Sequence, residues 1–231
     1  MMKKISILLI LVLLIEISLF PIITSIDLQQ NSVMPTVNTR DIPLLKQMGP
    51  VGTYEEYINS REKKPYIFQK ISEPLGNDLP LIIIFVEADL VSYITDELTL
   101  YNNTLKKFGY DSVIFQVSGI TSEELKDQII TYWENGSNVS GSVLIGDLPA
   151  EWFHHENDFY GPAEFPCDLF FMDLDGTWTD TDGDEMYDLH TDGSGDTAPE
   201  IFVGRIDASL ISGDEITILK KYFAKVHDFW S

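Results

Sequence analysis

The chain has 231 residues, 44% of them hydrophobic and 12% aromatic, enough apolar material to bury a sizeable core and too much for a disordered chain. Its 15 basic and 37 acidic residues give a formal net charge of −22. Between Lys126 and Arg205 there are 18 acidic residues and no lysine or arginine, which excludes a nucleic-acid-binding face there and makes a divalent cation the expected partner.

In chain order, Lys3 and Lys4 precede the apolar run Ile5 to Ile15, then Glu16, then Ile17 to Phe20 and Pro21. Glu16 interrupts the span of about 20 residues that would cross a bilayer. Residues 1–25 are therefore expected to be a signal peptide of a secreted or cell-surface protein rather than a membrane anchor. Three Asn-x-Ser/Thr acceptors begin at Asn102, Asn135 and Asn138. Residues 26–78 hold Pro35, Pro43, Pro50, Pro65 and Pro74 and the basic cluster Arg61, Lys63, Lys64. With no periodic core pattern they are expected to be a linker or pro-segment that wraps the domain, with one short helix around Thr53 to Arg61.

From residue 79 the texture is that of an α/β domain extending to 231. The run LPLIIIFVEAD (79–89) suits a strand buried on both faces. Leu98, Tyr101, Leu105 and Phe108 line one helical face ending at Gly109. Ser112 to Val117 is a second strand, and Thr121-Ser-Glu-Glu124 has capping-box form ahead of the stripe Leu125, Ile129, Trp133. GSVLIGD (141–147) is a third strand and PEIFVGRI (199–206) a fourth. Ser212-Gly-Asp-Glu215 then has capping-box form before Ile216, Leu219, Phe223, Val226 and Trp230. This alternation predicts a parallel sheet with flanking helices, interrupted by a long acidic insertion loop at 148–198. The final helix carries no terminating signal before Ser231, so a longer protein is expected.

The stretch FFMDLDGTWTDTDGDEMYDLHTDGSGD (170–196) allows three readings. FFMDLDGT matches the strand and Asp-x-Asp-Gly-Thr of haloacid dehalogenase-like phosphatases, with Asp173 as nucleophile and Asp175 as acid. However, GDEMYD (183–188) follows too soon to be that superfamily's later magnesium motif, and no lysine lies between 127 and 204. Cation binding explains more: Asp180, Asp182, Asp184 and Asp188 offer hard oxygens at close intervals, Gly183 permits a tight turn, and crowded carboxylates repel unless they share a cation. Ca²⁺ is the expected ion, with Asp173, Asp175, Asp192 and Asp196 as further candidates. The loop is not an EF-hand, since Glu185 and Thr191 stand where glycine and a bidentate glutamate belong. The third reading is a solvated acidic loop. Cys167 beside phenylalanines reads as a packing residue, although His154 and His155 upstream could pair with a thiol or hold a transition metal.

The stretches SVLIGDLPAEW (142–152), NDFYG (157–161), CDLFFMDLDGTW (167–178) and APEIFVGRIDAS (198–209) together resemble the gingipain-like cysteine peptidases. The resemblance covers residues 79–231 and is most specific at Gly146-Asp147, at Asp168 with Phe170 and Phe171, and at Pro199 to Arg205. It implies a caspase-like α/β fold and endopeptidase activity on protein or peptide substrates, using a histidine beside glycine and a cysteine on later strands. No His-Gly pair occurs in this sequence and its one cysteine precedes the Gly-Arg strand, so no catalytic residue carries over. The chain is expected to be the leading half of such a domain, inactive without the remaining half. Arg205 is expected to pair with Asp147, Asp168 or Glu200. The rival expectation is a secreted calcium-binding surface or adhesion module without catalysis.

Overall fold

The computed structural model describes residues 52–76, 79–158 and 161–231. The expected signal peptide at 1–25 and the linker up to residue 51 lie outside the described residues. The described part is a mixed α/β fold with a mostly parallel central sheet between helices.

Strand β2 (Leu81–Glu87) lies inside the sheet, and all seven of its residues are buried. It runs parallel to β3 (Asp111–Ser118) on one side and to β4 (Val139–Ile145) on the other. Beyond β4 lies β9 (Phe202–Ile206), also parallel. The other edge is β1 (Ile67–Ser72), antiparallel to β3, giving the order β1-β3-β2-β4-β9.

Because successive side chains of a strand point to opposite faces, the unbroken apolar run of β2 feeds two cores at once. Ile82, Ile84 and Val86 pack with α3 (Thr95–Lys107) and α6 (Glu215–Trp230), through Leu98, Leu219 and Phe223. Leu81, Ile83 and Phe85 pack with Leu125 and Ile129 of α4 (Ser122–Glu134) and with Phe170, Phe171 and Leu174 at the foot of the acidic insertion. Each such side chain contributes roughly 1.5–3 kcal/mol on burial, so these two rows dominate the stability of the sheet. The capping box predicted at Thr121 is present, with Thr121 accepting from the Glu124 backbone and Glu124 accepting from Thr121 N–H. A one-turn helix α2 (Ala88–Val91) follows β2 directly.

Three sequence expectations are corrected. Residues 67–72, read as linker, form β1; only one face is used, Phe68 stacking on Phe115 at 4.9 Å, while Lys70 and Ile71 face solvent, so no apolar run announces the strand. The expected short helix is present as α1 (Tyr54–Ser60), capped by Thr53, and it is docked on the domain through Tyr57 OH and Ala150 N–H. The stretch FFM (170–172) lies in a helical turn, α5 (Leu169–Met172), which lets the adjacent Phe170 and Phe171 both turn inward. Finally, α6 is capped by Asp214, which accepts from Thr217 N–H, and not by Ser212. The fourth strand begins at Phe202, three residues later than the apolar pattern suggested.

Two small hairpins complete the insertion, β5 (Trp152–Asp158) with β6 (Gly161–Pro166), and β7 (Thr177–Thr179) with β8 (Leu189–Thr191). No helix among the described residues is long and apolar enough to cross a membrane.

Candidate functional site

The chain leaves β2 toward β3 and later returns on the other side to β4, so the carboxyl ends of β2 and β4 form the crevice at which open α/β sheets collect functional groups. Five charged residues meet there. Glu87, at the end of β2, accepts from Asp147 N–H at 3.0 Å and is ion-paired with Lys64. Lys64 also reaches Asp89 at 3.1 Å, and the Glu87 carboxylate holds the Lys64 ammonium above its ordinary pKa. Arg61 donates to the Asp147 carboxylate at 2.8 Å and to its carbonyl at 3.0 Å. Residues 53–66 therefore lie across the crevice, which explains why the basic cluster Arg61, Lys63, Lys64 precedes so acidic a domain.

Arg205 of β9 pairs with Asp168, donating to its two oxygens at 2.7 and 3.2 Å. The other two candidates are engaged elsewhere: Asp147 by Arg61, and Glu200 by Leu174 N–H at 2.6 Å. Arg205 also donates to the carbonyls of Leu148 and Pro149, at 2.8 and 3.2 Å. One guanidinium thus ties the start of the insertion, its middle and the strand that follows it. A cleft of about 880 Å³ opens beside it, lined by Asp147, Trp152, Asp168, Arg205, Asp207 and the inner side of α1.

The acidic loop sits further out. Asp180, Asp182 and Asp188 can each bring one carboxylate oxygen within 4.8 Å of the others. Asp184, the fourth expected ligand, instead groups with Asp182 and His154. The predicted set is therefore split over two clusters that share Asp182. Asp180 accepts from Gly183 N–H at 2.6 Å and Glu185 N–H at 3.1 Å, and these backbone donors hold it below the usual carboxylate range. Asp182 moves the other way, pushed up by desolvation and by Asp184, Asp188 and Asp180. That repulsion is what a shared hard cation relieves. Asp192 and Asp196 belong to neither cluster; Asp196 accepts from Ala198 N–H at 2.7 Å.

Asp173 and Asp175 form a third group with Glu200, beneath the insertion. Asp173 is fully buried, accepts from Asp175 N–H at 3.1 Å and Gly176 N–H at 2.7 Å, and is hydrogen-bonded to His190 Nε2. His190 in turn stacks on Trp178 at 3.9 Å. The pairing spans 17 residues of a region whose aspartates look alike in sequence, and no spacing signal picks out His190. The phosphatase reading loses its geometry here, since Asp173 follows a helical turn rather than a strand and its oxygens are already engaged.

Lys126, buried in α4, places its ammonium 4.3 Å above the Phe170 ring and 5.6 Å from that of Trp178; burial lowers its pKa. Cys167 is half-buried, and burial pushes its thiol up, which disfavours the thiolate. His154 lies 3.9 Å from Asp184 and not against the thiol. Packing is therefore the role the geometry gives Cys167. The chain matches no protein-family model, no curated protein and no solved structure.

Proposed function

We propose that the chain is part of the catalytic domain of an exported cysteine endopeptidase of gingipain-like type, with a caspase-like sheet, acting on protein or peptide substrates. The observation that carries this reading is the convergence of its separate motif stretches on one guanidinium. Arg205 of the Gly-Arg strand holds Asp168 and the carbonyls of Leu148 and Pro149, which follow directly on Gly146-Asp147, at the carboxyl edge of the sheet. The sequence contains no His-Gly pair, so in this reading the hydrolytic histidine and cysteine stand on further strands that add to the outer edge of β9. The test is to read the source DNA past the codon for Ser231 and to assay the native exported protein on a fluorogenic casein substrate. Further strands ending in His-Gly and in a cysteine, with hydrolysis abolished by iodoacetamide, are the expected result. A stop codon at that point, with no hydrolysis, overturns it.

A second reading, a calcium-binding module without catalysis, is favoured by the carboxylate clusters centred on Asp182. In either reading calcium braces the insertion. A ligand bound only by the native state stabilises it by about 2.7 kcal/mol at 100-fold excess over Kd, so calcium should raise Tm by several degrees. Asp182→Ala with Asp184→Ala should abolish the increment, and an unchanged increment in that variant would refute the assignment.

A further inference from the structure

A cleft of about 470 Å³, distinct from the one beside Arg205, lies between α1, the amino-terminal turn of α4 and the acidic loop. Its volume is that of a small-molecule pocket. Tyr54 and Tyr57 line it from α1 and Tyr187 from the insertion. Tyr54 and Tyr57 are fixed by Trp152 behind them, with ring centroids 5.9 and 5.4 Å away, and Tyr57 OH accepts from Ala150 N–H at 2.8 Å. Tyr57 already carries one cation on its ring, the Arg61 guanidinium at 5.3 Å, and that guanidinium is itself neutralised by Asp147.

Glu123, Glu151 and Glu185 supply carboxylates to the same cleft. Glu151 is the informative one. It is 94% buried, yet its donors are neutral: Ser122 OH at 2.7 Å and Trp152 N–H at 3.1 Å. No lysine or arginine among the described residues lies within ion-pair distance of it, and Lys126, whose charge acts on it through space, is held on Phe170 and Trp178. Burying a carboxylate without a counter-charge is costly. The amino-terminal turn of α4 also lines the cleft and favours an anion, but its Thr121 N–H and Glu124 N–H are satisfied within the capping box. The carboxylates and ring faces therefore set the sign of the site.

We propose that this cleft binds a small organic cation, an alkylammonium group seated against Tyr54, Tyr57 and Tyr187 with Glu151 as its counter-charge. Aromatic faces beside a desolvated carboxylate are the arrangement that recognises quaternary ammonium ions. The inference does not depend on peptidase activity; Asp180, Glu185 and Tyr187 of its lining belong to the acidic loop, so calcium is kept present in the test.

The test is isothermal titration of the protein, in calcium-containing buffer, with choline and with its uncharged isostere 3,3-dimethylbutan-1-ol. The expected result is saturable choline binding roughly tenfold or more tighter than that of the alcohol. Tyr54→Leu should weaken choline binding about tenfold while Tyr54→Phe retains it. Glu151→Gln should weaken choline and leave the alcohol unaffected, and Glu185→Gln, at an exposed position, provides a charge deletion that does not touch the core. No saturable binding by the wild-type protein, equal affinity for the alcohol, or undiminished choline binding by Tyr54→Leu and both glutamine variants overturns the proposal.

Discussion

At the scale of single residues, position rather than type decides which of the many acidic side chains carry consequences. Asp180 is half-buried and its backbone donors hold its pKa low, while Glu151 is buried and its carboxyl is raised above the ordinary value, chiefly by desolvation and against the pull of Ser122 and Trp152 N–H. A carboxyl with a raised native pKa keeps its proton to higher pH in the folded state than in the unfolded one. Its contribution to stability therefore falls as pH rises from about 4.5 through the raised value. Glu151→Gln removes that slope. Urea titrations of the two proteins across this range should show the stability difference shifting in favour of the variant as pH rises; a pH-independent difference would contradict the assignment. The sequence shows the density of carboxylates around 151–200, but not this division, because burial comes from β5 and α4 closing over Glu151.

At the scale of elements, legibility followed how many faces an element buries. The run of β2 needed no context, being apolar at six successive positions and buried on both faces. The capping box at Thr121 was equally plain, since its two hydrogen bonds are local. β1 was not legible because it is an edge strand with one apolar contact face, and α5 was not anticipated because a single turn is too short to show a helical period. Of the candidate metal site, Asp180, Asp182 and Asp188 came together as their spacing suggested, whereas Asp184 was drawn toward His154 by the β5–β6 hairpin, which spacing cannot show.

The strap formed by residues 53–66 depends on one backbone position. Gly119 adopts a φ of +58°, and a Cβ there would overlap the Lys64 carbonyl and Pro65. Gly119→Ala should cost roughly 2–4 kcal/mol from left-handed strain and displacement of the strap. It should also speed tryptic cleavage after Arg61 and Lys63. Unchanged stability and cleavage would mean that the strap does not rest on this contact.

At the scale of the molecule, Arg205 hydrogen-bonds from the sheet to both the beginning and the middle of the insertion. Its hydrogen bonds to charged and carbonyl acceptors are half-buried, so solvent screening reduces their value. Arg205→Met should destabilise by about 2–3 kcal/mol and loosen residues 148–168 together, read as faster amide exchange there than in β2. A loss of stability with unchanged exchange in the insertion would place the effect elsewhere. The overall architecture was legible because strand and helix alternate, and the strand order was not, because the crossover directions depend on which helix faces cover which side of β2.

The placement of β1 bears on the order in which the domain is made. Residues 67–72 are synthesised before any parallel strand, yet their partner is Ile114 to Ser118 of β3, some forty to fifty residues later, and the strap just upstream rests on Glu87 and Asp147. The earliest part of the described chain therefore has nothing to pair with until β2, β3 and β4 have formed. Long-range pairing of this kind slows folding, because loop closure comes before the reward of contact. In refolding experiments the ring signals of Tyr54 and Tyr57 against Trp152 should recover after the β2–β3–β4 core, so that the segment made first among the described residues is the last to take its place.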